Sequence, residues 1–225
     1  MQILKDGHHA GWRAYDIAAT WWNRENTQEA EKWGNNAVDV WKEVGSKHEE
    51  AVGLRMLGMI AEQKNDCQAA EELYKQALAI WRERNNQNEI ALALNDLGGT
   101  ARYKERYDEA EKYYLEAIEK TTSFSNKAFY TANLGVLEAV RRNWQNARKW
   151  YGEALHISTE IGLQQIIAGS CHGLAQVEEA TGQYPAALVL AEKALKIREQ
   201  LQDGDLPLTR NLIARLKEKI VENKA

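Results

Sequence analysis

The most reactive side chains in this 225-residue sequence stand together at Gly169-Ser170-Cys171-His172-Gly173. A cysteine framed by glycines, with a histidine beside it, imitates a nucleophile elbow, where a strained strand-to-helix turn throws the nucleophile outward and a base takes its proton. That chemistry needs a strand before the motif. Here the flanking residues recur with helical spacing, and neighbours on a helix point about 100° apart, so Cys171 and His172 share no face. A packed, inert thiol is the expectation, and the chain is read as not an enzyme. The histidines His8, His9, His48, His156 and His172 lack the four-residue spacing that pairs ligands on a helix, and no CxxC is present, so no metal is expected. There is no GxxxxGK[ST] loop and no strand-borne GxGxxG, so neither a nucleotide nor any other cofactor is implied.

Positioning must come from helices. The sequence has only two prolines, and 44% of its residues are hydrophobic and 28% charged, the balance of an ordered helical chain. A net charge of -4 without runs of lysine or arginine argues against nucleic acid and against anionic membrane. No long apolar stretch could span a bilayer, and the opening MQILKDGHHAGW has no signal-peptide core. Cys67 and Cys171 lie too far apart for a disulfide framework, and the cytoplasm is the expected compartment.

The organising signal is a repeat. Ala30, Ala70, Ala110, Ala147 and Ala187 recur at intervals of 40, 40, 37 and 40, each with a second alanine seven residues on (Ala37, Ala77, Ala117, Ala154, Ala194). In the third unit, Leu94, Leu97 and Ala101, then Tyr107, Ala110, Tyr114 and Ala117, form two helical blocks separated by Lys-Glu-Arg. Each unit is thus a helical hairpin that must stack on its neighbours to bury its apolar face. The units run 11–50, 51–90, 91–127, 128–167 and 168–205, with EVGSKHEEA, ERNNQNEIA and EIGLQQIIA as connectors. After Asp203-Gly204, Pro207 opens an amphipathic segment, 206–225, read as a capping helix over the last repeat.

The small residues Ala18, Gly58, Gly98, Gly135 and Ala175 in the first helix of each pair, with the alanine that opens each second helix, carry a specific resemblance. The chain resembles tetratricopeptide repeat (TPR) proteins in the roughly 40-residue form of kinesin light chains, spindle-orientation adaptors and the sensor domains of bacterial signalling ATPases and regulators. The resemblance implies an all-α, right-handed superhelical solenoid of five hairpins with a C-terminal cap. It implies a non-catalytic scaffold or sensor module holding a peptide or protein in the concave groove, in signalling or regulation. The alternative is a sugar- or metabolite-sensing domain of a larger regulator. The partner could also be a domain missing from this chain.

Groove positions of the family fall, in this sequence, on Trp12, Tyr15, Trp22, Arg55, Met56, Met59, Glu62, Asn95, Asp96, Arg102, Tyr103, Phe129, Asn133, His172, Gln176 and Glu179. Aromatic, arginine and methionine side chains there are the types that anchor partners. Two readings of Trp12, Tyr15 and Trp22 stand: partner contacts, or closure of an N-terminal end that no preceding repeat covers. The carboxylate clamp of co-chaperone repeats needs lysines, asparagines and an arginine where this chain has Tyr15, Ala19, Met56, Leu92 and Asp96, so a chaperone tail is not expected. Glu138 and Glu178 replace a usual tyrosine, and could receive a basic partner or pair with local arginines such as Arg141.

Overall fold

The computed structural model describes residues 2–223, with side chains from Asp6 onward. Among them are eleven helices and no strand: α1 (Gln2–Asn23), α2 (Thr27–Glu43), α3 (Lys47–Gln63), α4 (Cys67–Glu83), α5 (Gln87–Tyr103) and α6 (Tyr107–Lys120), then α7 (Phe124–Val140), α8 (Trp144–Glu160), α9 (Gln164–Ala180), α10 (Tyr184–Leu201) and α11 (Leu206–Glu222). Two compact units divide the chain, 1–120 and 121–225. The first is three stacked hairpins, α1–α2, α3–α4 and α5–α6; the second is two, α7–α8 and α9–α10, followed by α11 packed on α10 and α9. This is the all-α solenoid arrangement.

Helix crossings set the spacing inside each unit. All ten repeating alanines are fully buried. Opposite them, in the three middle hairpins, the first helix presents a glycine, Gly58, Gly98 or Gly135, to a tyrosine of the second. A methyl group at Gly98 would stand 2.7 Å from Tyr114 Cε1, and one at Gly135 would stand 2.7 Å from Tyr151 Cδ1. Glycine is required there because the ring lies flat on the backbone of the neighbouring helix.

Eight of the turns share one design. In each, the middle of three residues is left-handed: Glu25, Gly45, Asn65, Asn85, Glu105, Arg142, Gly162 and Gly182, with φ between 53° and 79°. The residue after it begins the next helix, and Asn26, Asp66 and Asn143 cap it through their side chains. The exception explains the 37-residue interval. Helix α6 has 14 residues where α2, α4 and α8 have 17, and it ends in Thr121-Thr122-Ser123, which lack a left-handed residue. Ser123 then caps α7 by accepting from the Asn126 backbone N–H at 3.3 Å. The break coincides with the division between the units.

The helix bounds revise the sequence frame. Counting units from 51, 91, 128 and 168 cuts each first helix after its opening turn, since these helices start at 47, 87, 124 and 164. Most of each connector is therefore helical. Its polarity reflects the helix start, where Glu49, Glu50 and Glu89 complement the helix dipole, Glu50 while buried. Likewise α1 begins well before 11: Gly11 admits the Trp41 ring, and His8 Nε2 lies 3.1 Å from Glu49 Oε1 of α3. Of the expected cap 206–225, Lys224 and Ala225 lie outside the described residues, as does Met1.

A left-handed conformation costs a residue with a Cβ about 1 kcal/mol. Glu105→Gly is therefore expected to raise stability by up to about 1 kcal/mol, whereas Ala110→Leu at the α5–α6 crossing should lower it by about 1–3 kcal/mol. Chemical denaturation of both variants beside the parent chain checks the pair of opposite signs.

Candidate functional site

In the first unit, a polar network crosses from α3 to α5. The Arg55 guanidinium donates from Nε to Asp96 Oδ2 and from Nη2 to Asp96 Oδ1 at 3.4 Å, and the Asn95 amide donates to the same Oδ1. Burial pushes the Asp96 carboxyl above its ordinary range, and the Arg55 charge opposes it. Burial works against the charged form of Arg55 too, yet Asp96 holds its pKa raised. Glu62 accepts from Thr100 Oγ1 at 2.8 Å and from the Tyr74 hydroxyl at 3.0 Å. Its pKa is raised, burial outweighing those two bonds. Tyr15 on α1 is raised by burial, with Arg55 pulling the other way. Arg55, Glu62, Asn95, Asp96 and Tyr15 are thus brought together on first helices. Arg102, Glu62 and the exposed Tyr103 line a cleft of about 270 Å³ with Asn65, Cys67 and Gly99.

Other positions from the sequence land differently. Met56 is buried in the core, while Met59 is half-buried. Trp12 and Tyr15 pack edge-on, with centroids 5.4 Å apart, and Trp12 lies 5.2 Å from the buried Trp41. Trp22 is half-buried with its indole N–H enclosed. These rings pack on the first hairpin at least as much as they face outward.

The second unit carries a longer furrow. One cleft of about 490 Å³ lies among Val136, Val140, Trp144, Tyr151, Gln176, Glu179, Arg215 and Lys219; another, of about 380 Å³, involves Phe129, Gln165, Ile166, Ser170 and His172. They share Val136, Tyr151 and Gln176. Four of the five residues expected here, Phe129, His172, Gln176 and Glu179, line the furrow, whereas Asn133 is half-buried and lines neither cleft. Arg215 and Lys219 were missed because 206–225 was read only as a cap. The signal was present: Lys219 stands 40 residues after Glu179, one repeat on. Arg215 grips Glu179 at 2.7 and 2.8 Å and Lys219 bonds it at 3.0 Å, which lowers the pKa of Glu179.

Three further glutamates are held by side chains of the protein itself. Glu138 is buried and accepts from Arg141 at 3.1 Å, Asn143 at 2.7 Å and Asn146 at 3.2 Å; Glu178 takes a two-pronged bond from Arg148 at 2.7 and 3.0 Å. Glu71, unnoticed in sequence, binds Lys75, Lys104 and Arg106 and is held at about 2, these bonds overcoming its burial. Cys171 is fully buried within α9, where burial pushes its thiol up, and the motif around it is helix rather than elbow. His172 instead turns to α11, its Nδ1 lying 3.2 Å from Thr209 Oγ1.

Fold and site together define a helical-repeat protein with an elaborated first-helix face. Tetratricopeptide repeat family patterns match residues 13–83, 90–122 and 125–200. The chain belongs to the tetratricopeptide repeat family. A comparison with curated proteins gave no match. Among solved structures, the chain is similar to BtubC (BKLC) from P. vanneervenii, with 19% identity, a TM-score of 0.71, and 89% of this chain and 91% of that one covered. A Rap protein complexed with Competence and Sporulation Factor matches at 15% identity and a TM-score of 0.77, over 96% of this chain and 65% of that one. The apo form of RapI matches at 14% and 0.68, over 95% and 85%. Likeness at these identities shows the fold. Among the described residues, no helix is long and apolar enough to cross a membrane.

Two acid transitions are expected. Burial, then Arg198, hold His172 down at about 4, below the ordinary 6.5. The stability gained by keeping it neutral is whole above about pH 6.5 and is lost as pH falls toward 4. Glu71, lowered from 4.5 to about 2, contributes stability that is whole above about 4.5 and lost as pH falls through 2. Melting curves at steps between pH 7.5 and 2 should lose their upper segment in His172→Gln and their lower segment in Glu71→Gln.

Proposed function

We propose that this chain is a non-catalytic interaction module that holds a peptide or protein on the face made by its first helices. The observation that carries this reading is the furrow along α7, α9 and α11, which holds a cluster of charges at one end and leaves Phe129 48% exposed at the other, in a family built from stacked repeats. Exposed aromatic surface and fixed polar groups in one furrow are the composition of an anchoring site. The Arg55–Asp96 and Glu62–Thr100 network gives the first unit a pre-organised polar counterpart. A role in signalling or regulation draws support from the likeness to the Rap protein complexed with Competence and Sporulation Factor.

The test is recovery of partners from a native lysate on immobilised chain. Tyr103→Ala and Phe129→Ala remove exposed first-helix side chains, and Val189→Ala removes an equally exposed one from the second helix α10. A protein held by the parent and by Val189→Ala, but reduced about tenfold by either first-helix variant at unchanged melting temperature, is the expected result. Equal recovery by all four chains would sink the proposal.

A further inference from the structure

The furrow of the second unit has a chemical polarity along its length. At one end Arg215 and Lys219 both bond Glu179, which is ionised, so two cations and one carboxylate leave the cluster one net positive charge. At the other end Phe129 and Ile166 offer apolar surface, and Val136 and Tyr151 continue it through the shared middle. Beside that apolar surface the Ser170 hydroxyl of α9 lines the same cleft, fully buried and with no hydrogen-bond partner within the protein. The exposed Gln176, common to both clefts, carries an amide that can donate to and accept from a peptide backbone.

We propose that this furrow takes an extended peptide segment carrying an acidic side chain at the Arg215–Lys219 end and an aromatic or aliphatic one beside Phe129. The inference rests on the reading of the first-helix face as a partner site and adds the chemistry and direction of the occupant. Charge complementarity selects the acid: a basic side chain would compete with two cations for a Glu179 they already occupy, whereas a carboxylate meets spare N–H donors. Burial and then Arg198 disfavour the protonated form of His172, Asp205 opposes them and Arg215 adds to them. Three packed helices about 10 Å apart set a path of roughly 20 Å, so the two anchors fall about five or six extended residues apart. In this arrangement α11 is a wall of the binding site and supplies its only two cations among the lining residues.

Selection of a phage-displayed random dodecapeptide library on the full chain tests this, followed by fluorescence anisotropy of labelled synthetic winners. The expected winners pair Asp or Glu with an aromatic or aliphatic residue about five positions away. Their affinity should fall about tenfold in Lys219→Glu and in Phe129→Ser, and by a similar factor when the peptide's acid is made its amide. That last comparison needs no change in the protein, so it holds even where a variant folds poorly. Winners without an acid, or winners indifferent to the acid-to-amide exchange, would overturn this inference and leave the partner-site reading standing. No enrichment on the parent chain would overturn both.

Discussion

Everything in each unit depends on how closely paired helices can approach. Alanines at the crossings, and glycines such as Gly98 and Gly135 beneath tyrosine rings, bring the two helices of a hairpin into contact along their length. Close packing of this kind gains dispersion and excludes water without any single large contribution. Its consequence is geometric. With the helices locked side by side, the first helices of successive hairpins form one face, and side chains a whole repeat apart in sequence become neighbours.

That neighbourhood is where the polar chemistry lies. Arg55 meets Asp96 41 residues on, Glu62 meets Thr100 38 residues on, and Glu179 meets Lys219 40 residues on. Each bond runs from one repeat to the next, as do Glu71–Arg106 and Arg148–Glu178. Pairs of this sort add little when fully exposed, but partial burial and two-pronged geometry make them specific, and they hold the register of the stack. The last such contact among the described residues is made by α11. Arg198, buried, donates to Thr209 and to the Asp205 backbone carbonyl, tying the turn and the cap to the final repeat. A helix that covers exposed apolar surface thereby also contributes charge to the furrow.

Much of the fold was legible from residue spacing. The alanine register, the small residue of each first helix and the short turns identified hairpins and their stacking, because a crossing tolerates few side chains and tolerates them at every repeat; that the glycines lie under tyrosine rings came from the structure. The register also placed Tyr15, Arg55, Glu62, Asn95 and Asp96 on one face. Helix starts were less legible: the polar first turns after Ser46 and Asn86 look like connectors, since in a helix end solvent exposure and dipole both favour polar residues. The 37-residue interval was visible, but not its meaning, a short α6 ending where the two units divide.

The sequence by itself determined the class of element, the repeat and the residues that must be small, because local periodicity and steric limits act within one or two helices. Tertiary structure decided which polar groups satisfy one another. Sequence left Glu138 and Glu178 open between partner and neighbour; Arg141 and Asn143 reach Glu138 from the end of its own helix, whereas only packing brought Arg148 of α8 within bonding distance of Glu178 on α9. It placed His172 against Thr209, and turned Arg215 and Lys219 of a capping helix toward Glu179. Such choices depend on distances across a helix interface, which no spacing along a single helix encodes.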